Sequence, residues 1–126
     1  MDNIFILFAM IFLHIIDDYK LQGILASMKQ EAWWREQKYY KELYKYDHIP
    51  ALIEHSFSWS FMIMLPIAIV LNFNIGLWII AYIINMIIHA IVDDLKANKC
   101  KINLVIDQSI HITQIIVTWL IFIIIK

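Results

Sequence analysis

Apolar and polar positions alternate along the chain in blocks. Four long apolar runs cover about 4–22, 50–71, 75–96 and 102–125, and one charged, aromatic stretch covers about 28–47. Each run is close to the ~20 residues that an α-helix needs to cross ~30 Å of hydrocarbon. The first is apolar through Ile16 and is then interrupted by Asp17 and Asp18. The second opens at Pro50, a residue tolerated in the first turn of a helix, and Pro66 predicts a kink within it. The turn Asn72-Phe73-Asn74-Ile75-Gly76 leads into the third. The pattern predicts an all-α fold of one integral membrane domain, 1–126, built as a four-helix transmembrane bundle.

Between the first and second spans the period stays helical but the chemistry changes. Ser27 with Gln30 three residues on has the form of a capping box. Trp33, Gln37, Tyr40 and Tyr44 fall on one stripe, opposite Arg35, Lys38 and Lys45. An amphipathic interfacial helix is expected, with Trp33, Trp34, Tyr40 and Tyr44 at the membrane interface and lysines near lipid phosphates. An anchor, a substrate-gating lid and a partner-binding element are all open readings of it.

Composition decides the solvent. A hydrophobic content of 62%, only 2 Gly and a mean hydropathy of +0.69 set the chain apart from soluble domains. Cys100 stands alone among lysines, which excludes an internal disulfide and suits a reducing, cytoplasmic face. The N-terminal run lacks a basic start and an A-x-A-like exit, so it is read as a retained helix rather than a signal peptide. Lys20, Lys29, Arg35, Lys38, Lys41, Lys45, Lys96, Lys99 and Lys101 flank two connections, and only Lys126 falls on the other side. The positive-inside rule then predicts a multi-pass protein of the inner membrane with both termini outside. Anionic lipid accounts for the lysines better than nucleic acid, so no nucleic-acid partner is expected.

The apolar runs carry chemistry that packing alone does not need. His14 and Asp18, His89 and Asp93, and Asp107 and His111 are each four residues apart. Four residues turn a helix by about 400°, so each pair projects from one face about 6 Å apart, near enough to hold one metal ion. At ~1.5 Å per residue, His14, His55 and His89 lie roughly 7–10 Å in from the cytoplasmic helix ends and His111 roughly 13 Å. Helices of alternating direction thus place their polar groups in one layer near the cytoplasmic face. An ionisable group in hydrocarbon costs at least ~2.5–3.5 kcal/mol, and a divalent ion compensates a cluster of them directly. The predicted ligands are His14, Asp18, His55, His89, Asp93, Asp107 and His111. Seven ligands suggest two ions ~3.5–4 Å apart, with one carboxylate bridging. Mixed His and Asp ligands suit Zn, Mn or Fe. Asp17 is an alternative to Asp18 and Asp94 to Asp93; Glu54 and His48 rank lower. A buried polar network that fixes helix packing is the competing reading.

Together, His14-x3-Asp18-Tyr19-x2-Gln22, His55, His89-x3-Asp93-x2-Lys96 and Asp107-Gln108-x2-His111 resemble an uncharacterised family of small integral membrane proteins of bacteria and their phages. Its pattern is H-x3-D-F-x2-Q, H, H-x3-D-x2-K and D-Q-x2-H, with Tyr19 here in place of Phe. The resemblance covers nearly the whole chain and supports the site without naming a substrate. More distantly, the chain is similar to membrane-bound metal-dependent hydrolases.

A metal-dependent hydrolase is the leading expectation, acting at the cytoplasmic leaflet on a phosphoester, ester or amide bond of a lipid or a small molecule such as a nucleotide. A metal-bound water would attack, so no protein nucleophile is required. Gln22 and Gln108 are placed to orient ligands or donate to an oxyanion, and Lys96 to bind a substrate phosphate or to snorkel. The alternatives are a metal transporter or sensor and a non-catalytic interaction protein, for example a phage factor that blocks a host process. A homo-oligomer that covers the site is also open.

Overall fold

The computed structural model describes residues 3–71 and 74–125 and is all-helical, with no β-strand among them. Asn72 and Phe73 of the expected turn, and Lys126 of the charge count, lie outside the described residues. The α-helices in chain order are α1 (Asn3–Ile16), α2 (Leu25–Met28), α3 (Glu31–Arg35), α4 (His48–Val70), α5 (Ile75–Ala97) and α6 (Leu104–Ile125); π-helical turns occupy Asp17–Leu21 and Tyr40–Tyr44. Among the described residues three helices, α4, α5 and α6, are long and apolar enough to cross a membrane, consistent with a multi-pass membrane protein. The first run divides differently from expectation. Its α-helical part is 14 residues, about 21 Å long, and the rest continues as the π turn.

Local chemistry sets the helix limits. Asn74 Oδ1 accepts from Leu77 N at 3.1 Å and caps α5, and Asn103 Oδ1 accepts from Ile106 N at 3.0 Å and caps α6. At the far end of α5, Lys101 N donates to Leu95 O at 2.8 Å across Cys100, which takes the left-handed φ of 51° usual for glycine there. Helix α4 begins at His48, so Pro50 still falls in the first turn, and it continues through the buried Pro66 to Val70. After the π turn the chain reverses at Gly23, whose φ of 49° a side chain would disfavour.

Helix α4 packs against α1, α5 and α6, and α6 closes a ring by also meeting α1 and α5. Each helix buries one stripe, and that stripe changes character along its length. Ile6 and Met10 lead to His14 on α1; Ile67, Ile63 and Trp59 lead to His55 on α4; Phe122 and Ile115 lead to His111 on α6. One end of the bundle interior is therefore apolar and the other polar. The outer faces of the long helices are rich in apolar side chains: Phe8, Phe12, Ile69, Ile80, Ile84, Val117 and Ile124 are all exposed. Soluble monomers rarely expose contiguous apolar patches beyond a few hundred Å².

The stretch 28–47 is not one helix. It folds as α3, a turn and the second π turn, and the Ser27–Gln30 capping box does not form. Gln30 Nε2 returns to Ala26 O at 2.8 Å, and Glu31 N is capped by Asn98 Oδ1 of the α5 terminus at 2.8 Å. Tertiary contacts win over helical propensity here. Trp34 is buried and donates to Met28 O at 2.6 Å, while Tyr40 Oη donates to Glu31 Oε1 at 2.6 Å, a reach of nine residues that a straight helix of about 13 Å forbids. The Tyr40 hydroxyl and the Arg35 guanidinium hold the Glu31 carboxyl below the usual carboxylate range. The predicted faces survive the break: Trp33, Gln37, Tyr40 and Tyr44 are half-buried, whereas Arg35, Lys38 and Lys45 are exposed.

Candidate metal centre

The polar ends of the four buried stripes meet. Every predicted i,i+4 pair faces inward, with His14 Nδ1 3.5 Å from Asp18 Oδ2, His89 Nε2 3.7 Å from Asp93 Oδ2 and His111 Nε2 3.4 Å from Asp107 Oδ1. Contacts between helices are as close. His55 Nε2 lies 3.4 Å from both Asp18 Oδ1 and Asp93 Oδ2, and 3.1 Å from His89 Nε2. His89 Nδ1 lies 3.2 Å from His111 Nδ1, and His111 Nε2 lies 3.4 Å from Asp93 Oδ1.

Among the described residues two sets of potential ligands emerge, Asp18/His55/His89 and His89/Asp93/His111, with all ligand atoms of a set within 4.8 Å of one another. Two nitrogens each ~2.0–2.1 Å from a tetrahedral ion are about 3.3 Å apart, so separations of this size are those of a ligand shell. His89 belongs to both sets. Asp93 touches both as well, turning Oδ2 to His55 and Oδ1 to His111.

Hydrogen bonds around the cluster fix which lone pairs point inward. Asn85 Nδ2 donates to Ala81 O at 3.0 Å and to Thr118 Oγ1 at 2.9 Å, leaving Asn85 Oδ1 to accept from Gln114 Nε2 at 3.2 Å. Gln114 Oε1 is then an acceptor 3.2 Å from His111 Nδ1, which must carry the proton. The Nε2 lone pair of His111 is left facing Asp93 Oδ1 and Asp107 Oδ1. His111 Nε2, Asp107 Oδ1 and Asp18 Oδ1 are all buried without a hydrogen-bond partner. Lone pairs converging in this way repel one another unless a cation or proton lies among them, so the residues fit a divalent ion.

His14 stands differently. The indole Nε1 of Trp59 can only donate, and it does so to His14 Nδ1 at 2.8 Å, so that nitrogen is taken. His14 is brought to the cluster but, like the predicted ligand Asp107, joins neither ligand set. Trp59 is fully buried and also stacks on His89, with ring centroids 4.1 Å apart and planes 18° apart.

The neighbouring carboxylates differ in what they face. Asp18 enters a ligand set, whereas Asp17, also buried, accepts from Ser58 Oγ at 2.6 Å and sets Oδ2 3.8 Å from His55 Nδ1. The π turn makes this possible, because its wider coil lets consecutive carboxylates both face inward. Asp93 faces the cluster and Asp94 turns to Lys99 at 2.6 Å. Glu54 is exposed, and His48 is half-buried outside both sets. Gln108 Nε2 donates to Asp107 Oδ2 at 3.0 Å and to Asp18 Oδ2 at 3.3 Å, tying α6 to the π turn. Gln22 Nε2 donates to the Asp18 carbonyl. Lys96 Nζ pairs with Asp107 Oδ2 at 2.7 Å, and Lys29 Nζ with Asp93 Oδ2 at 2.5 Å.

Lys29, Trp59, Asn85 and Gln114 were not candidates from sequence. Trp59 follows His55 by four residues, Asn85 precedes His89 by four and Gln114 follows His111 by three, so helical spacing held the signal for these. Lys29 carried none, since its partner is 64 residues away. No protein-family model, curated protein or solved structure matches the chain.

Gln114→Leu removes the acceptor that fixes the His111 tautomer. Isothermal titration with Zn should show affinity lowered by about 10–100-fold, the usual cost of losing an outer hydrogen bond to a ligand. Unchanged affinity would separate Gln114 from the metal centre.

Proposed function

We propose that the chain is a membrane-embedded, metal-dependent hydrolase whose centre holds two divalent transition-metal ions, with Zn, Mn or Fe the fitting class. The convergence of unpartnered atoms of His111, Asp18 and Asp107 with the facing His55 Nε2 and Asp93 carboxylate supports this reading. Asp93 is posed as the bridging carboxylate and His89 is common to both ligand sets. Bound ions would supply Lewis acidity and bring the pKa of water from ~15.7 towards ~7.

The chain's own residues do the rest. Gln114 and Gln108 orient ligands, Asp17 steadies His55, and Trp59 with the apolar layer beyond it closes the centre towards the bundle interior. Substrate is a phosphoester, ester or amide of a lipid or a small cytosolic molecule. Hydrolysis consumes one water: its hydroxyl adds to the phosphoryl or acyl centre, the bond to the leaving group breaks, and its proton ends on the leaving group. The π turn extends α1 into the fourth span of a four-helix transmembrane bundle in the inner membrane. Both termini then lie outside and the centre lies near the cytoplasmic face, with the stretch 28–47 on the interface.

Cys100, single and exposed in the α5–α6 connection, reports the orientation without any substitution. A membrane-impermeant maleimide should label it in inverted vesicles and not in intact cells; the opposite result would reverse the topology. For activity, metal-loaded protein is assayed on phosphomonoesters, phosphodiesters, carboxylic esters and phospholipid micelles. Turnover of one class should fall by more than ~10²-fold in Asp93→Asn while circular dichroism is unchanged, a larger loss than outer-shell changes give. No hydrolysis by loaded protein, with metal flux into proteoliposomes, would instead make it a transporter.

A further inference from the structure

Asp93 lines a second feature besides the metal centre. A cavity of about 360 Å³ is bounded by Gln22, Lys29, Gln30, Asp93, Lys96 and Ala97, drawn from the first π turn, the segment after α2 and the last turns of α5. It touches the centre at Asp93, and all of its lining but Ala97 is polar or charged. We propose that this cavity is the subsite for a phosphate group of the substrate, held by the ammonium groups of Lys29 and Lys96. The proposal rests on the metal-hydrolase reading and deepens it by naming the substrate class as phosphate esters.

Lysine side chains are rarely withdrawn from water, yet that of Lys29 is only 12% exposed and that of Lys96 is 36%. Neither is used to neutralise a loose surface acid. Lys29 holds Asp93 Oδ2 and Lys96 holds Asp107 Oδ2, so each cation sits on a carboxylate that also faces a histidine of the centre. Local charge makes the case. Asp17, Asp18, Asp93 and Asp107 are four buried or nearly buried carboxylates, and the two lysines halve their charge. Two divalent ions would turn the cluster two positive, the charge that a phosphomonoester dianion neutralises. An uncharged ester or amide would leave that net positive charge uncompensated. Gln22, whose Oε1 is buried without a hydrogen-bond partner, and Gln30 supply the neutral polar lining.

The test measures phosphate and metal on the same samples. Parent, Lys29→Met, Lys96→Met and Lys29→Arg proteins are purified in an uncharged detergent and loaded with Zn or Mn. Metal content is read by elemental mass spectrometry and affinity for inorganic phosphate by titration calorimetry. Each Met variant should keep its metal and bind phosphate about tenfold more weakly, the size of one charge-assisted contact, whereas Lys29→Arg should restore binding. Lys96 is the more exposed of the two, so Lys96→Met keeps the test decisive if Lys29→Met fails to fold. Displacement of phosphate by glycerol 1-phosphate identifies a soluble substrate, and displacement by phosphatidic acid in mixed micelles a lipid headgroup; either supports the subsite. Metal-loaded protein that binds no phosphate, or binds it equally in both Met variants, overturns the proposal and leaves the metal centre standing. Failure of the parent to bind metal would defeat the hydrolase reading itself.

Discussion

A carboxylate withdrawn from water must recover its lost hydration from something fixed, and the bundle depends on how this is met. Four imidazoles and three carboxylates lie almost fully buried, with Asp18 close behind, at one end of helices whose outer faces are apolar. An ionisable group placed in hydrocarbon costs at least ~2.5–3.5 kcal/mol. Hydrogen bonds cover part of this: Ser58 serves Asp17, Gln108 serves Asp18 and Asp107, and Lys29 and Lys96 serve Asp93 and Asp107. They do not cover His111 Nε2, Asp18 Oδ1 or Asp107 Oδ1. His111 and Asp107 belong to α6 and Asp18 to the first π turn, and each uncovered atom faces another ligand candidate across 3.4 Å.

That demand also explains features which would otherwise be costs. A π turn at Asp17–Leu21 gives up regular α-helical bonding, with Gln22 N reaching Asp17 O at 3.1 Å, and in return presents two consecutive carboxylates inward. A polar ladder of Thr118, Asn85 and Gln114 is buried among apolar helices, and its end point is the proton on His111. Trp59 spends its only donor on His14 and its face on His89. The segment around α3 is held on the end of α5 by Asn98, which donates to Lys29 O at 3.1 Å, so Lys29 reaches the centre from a docked element. Fold and site are specified by the same contacts.

Much of the centre was legible because it is local. His and Asp four apart on a helix must share a face whatever the tertiary structure, and the three such pairs turned inward together. His55 was legible only through its depth. The neighbours Asp17 and Asp18 are ambiguous in sequence because an ideal α period does not describe the π turn that the chain adopts there. Asn85 and Gln114 kept helical spacing to histidines, but amides are common in helices and gave no reason for selection. Lys29 reads as one more basic interfacial residue, since nothing near it in sequence reveals the contact with Asp93. The expected helix over 28–47 failed for the same kind of reason: its stripe was real, and contacts of Trp34, Tyr40 and Asn98 broke the helix while keeping the stripe half-buried.

The claim on which the account turns is that the His/Asp cluster around His89 holds metal ions. The direct measurement is metal stoichiometry by elemental mass spectrometry, with ligand counting by X-ray absorption, on protein purified without chelators or a histidine tag, beside His89→Ala. About two equivalents of a transition metal in the parent, with nitrogen and oxygen neighbours near ~2.0–2.2 Å, both lost in a folded His89→Ala protein, is the predicted result. A parent that takes up no stoichiometric metal even after reconstitution with Zn and Mn would contradict it and leave the His/Asp layer as a packing network.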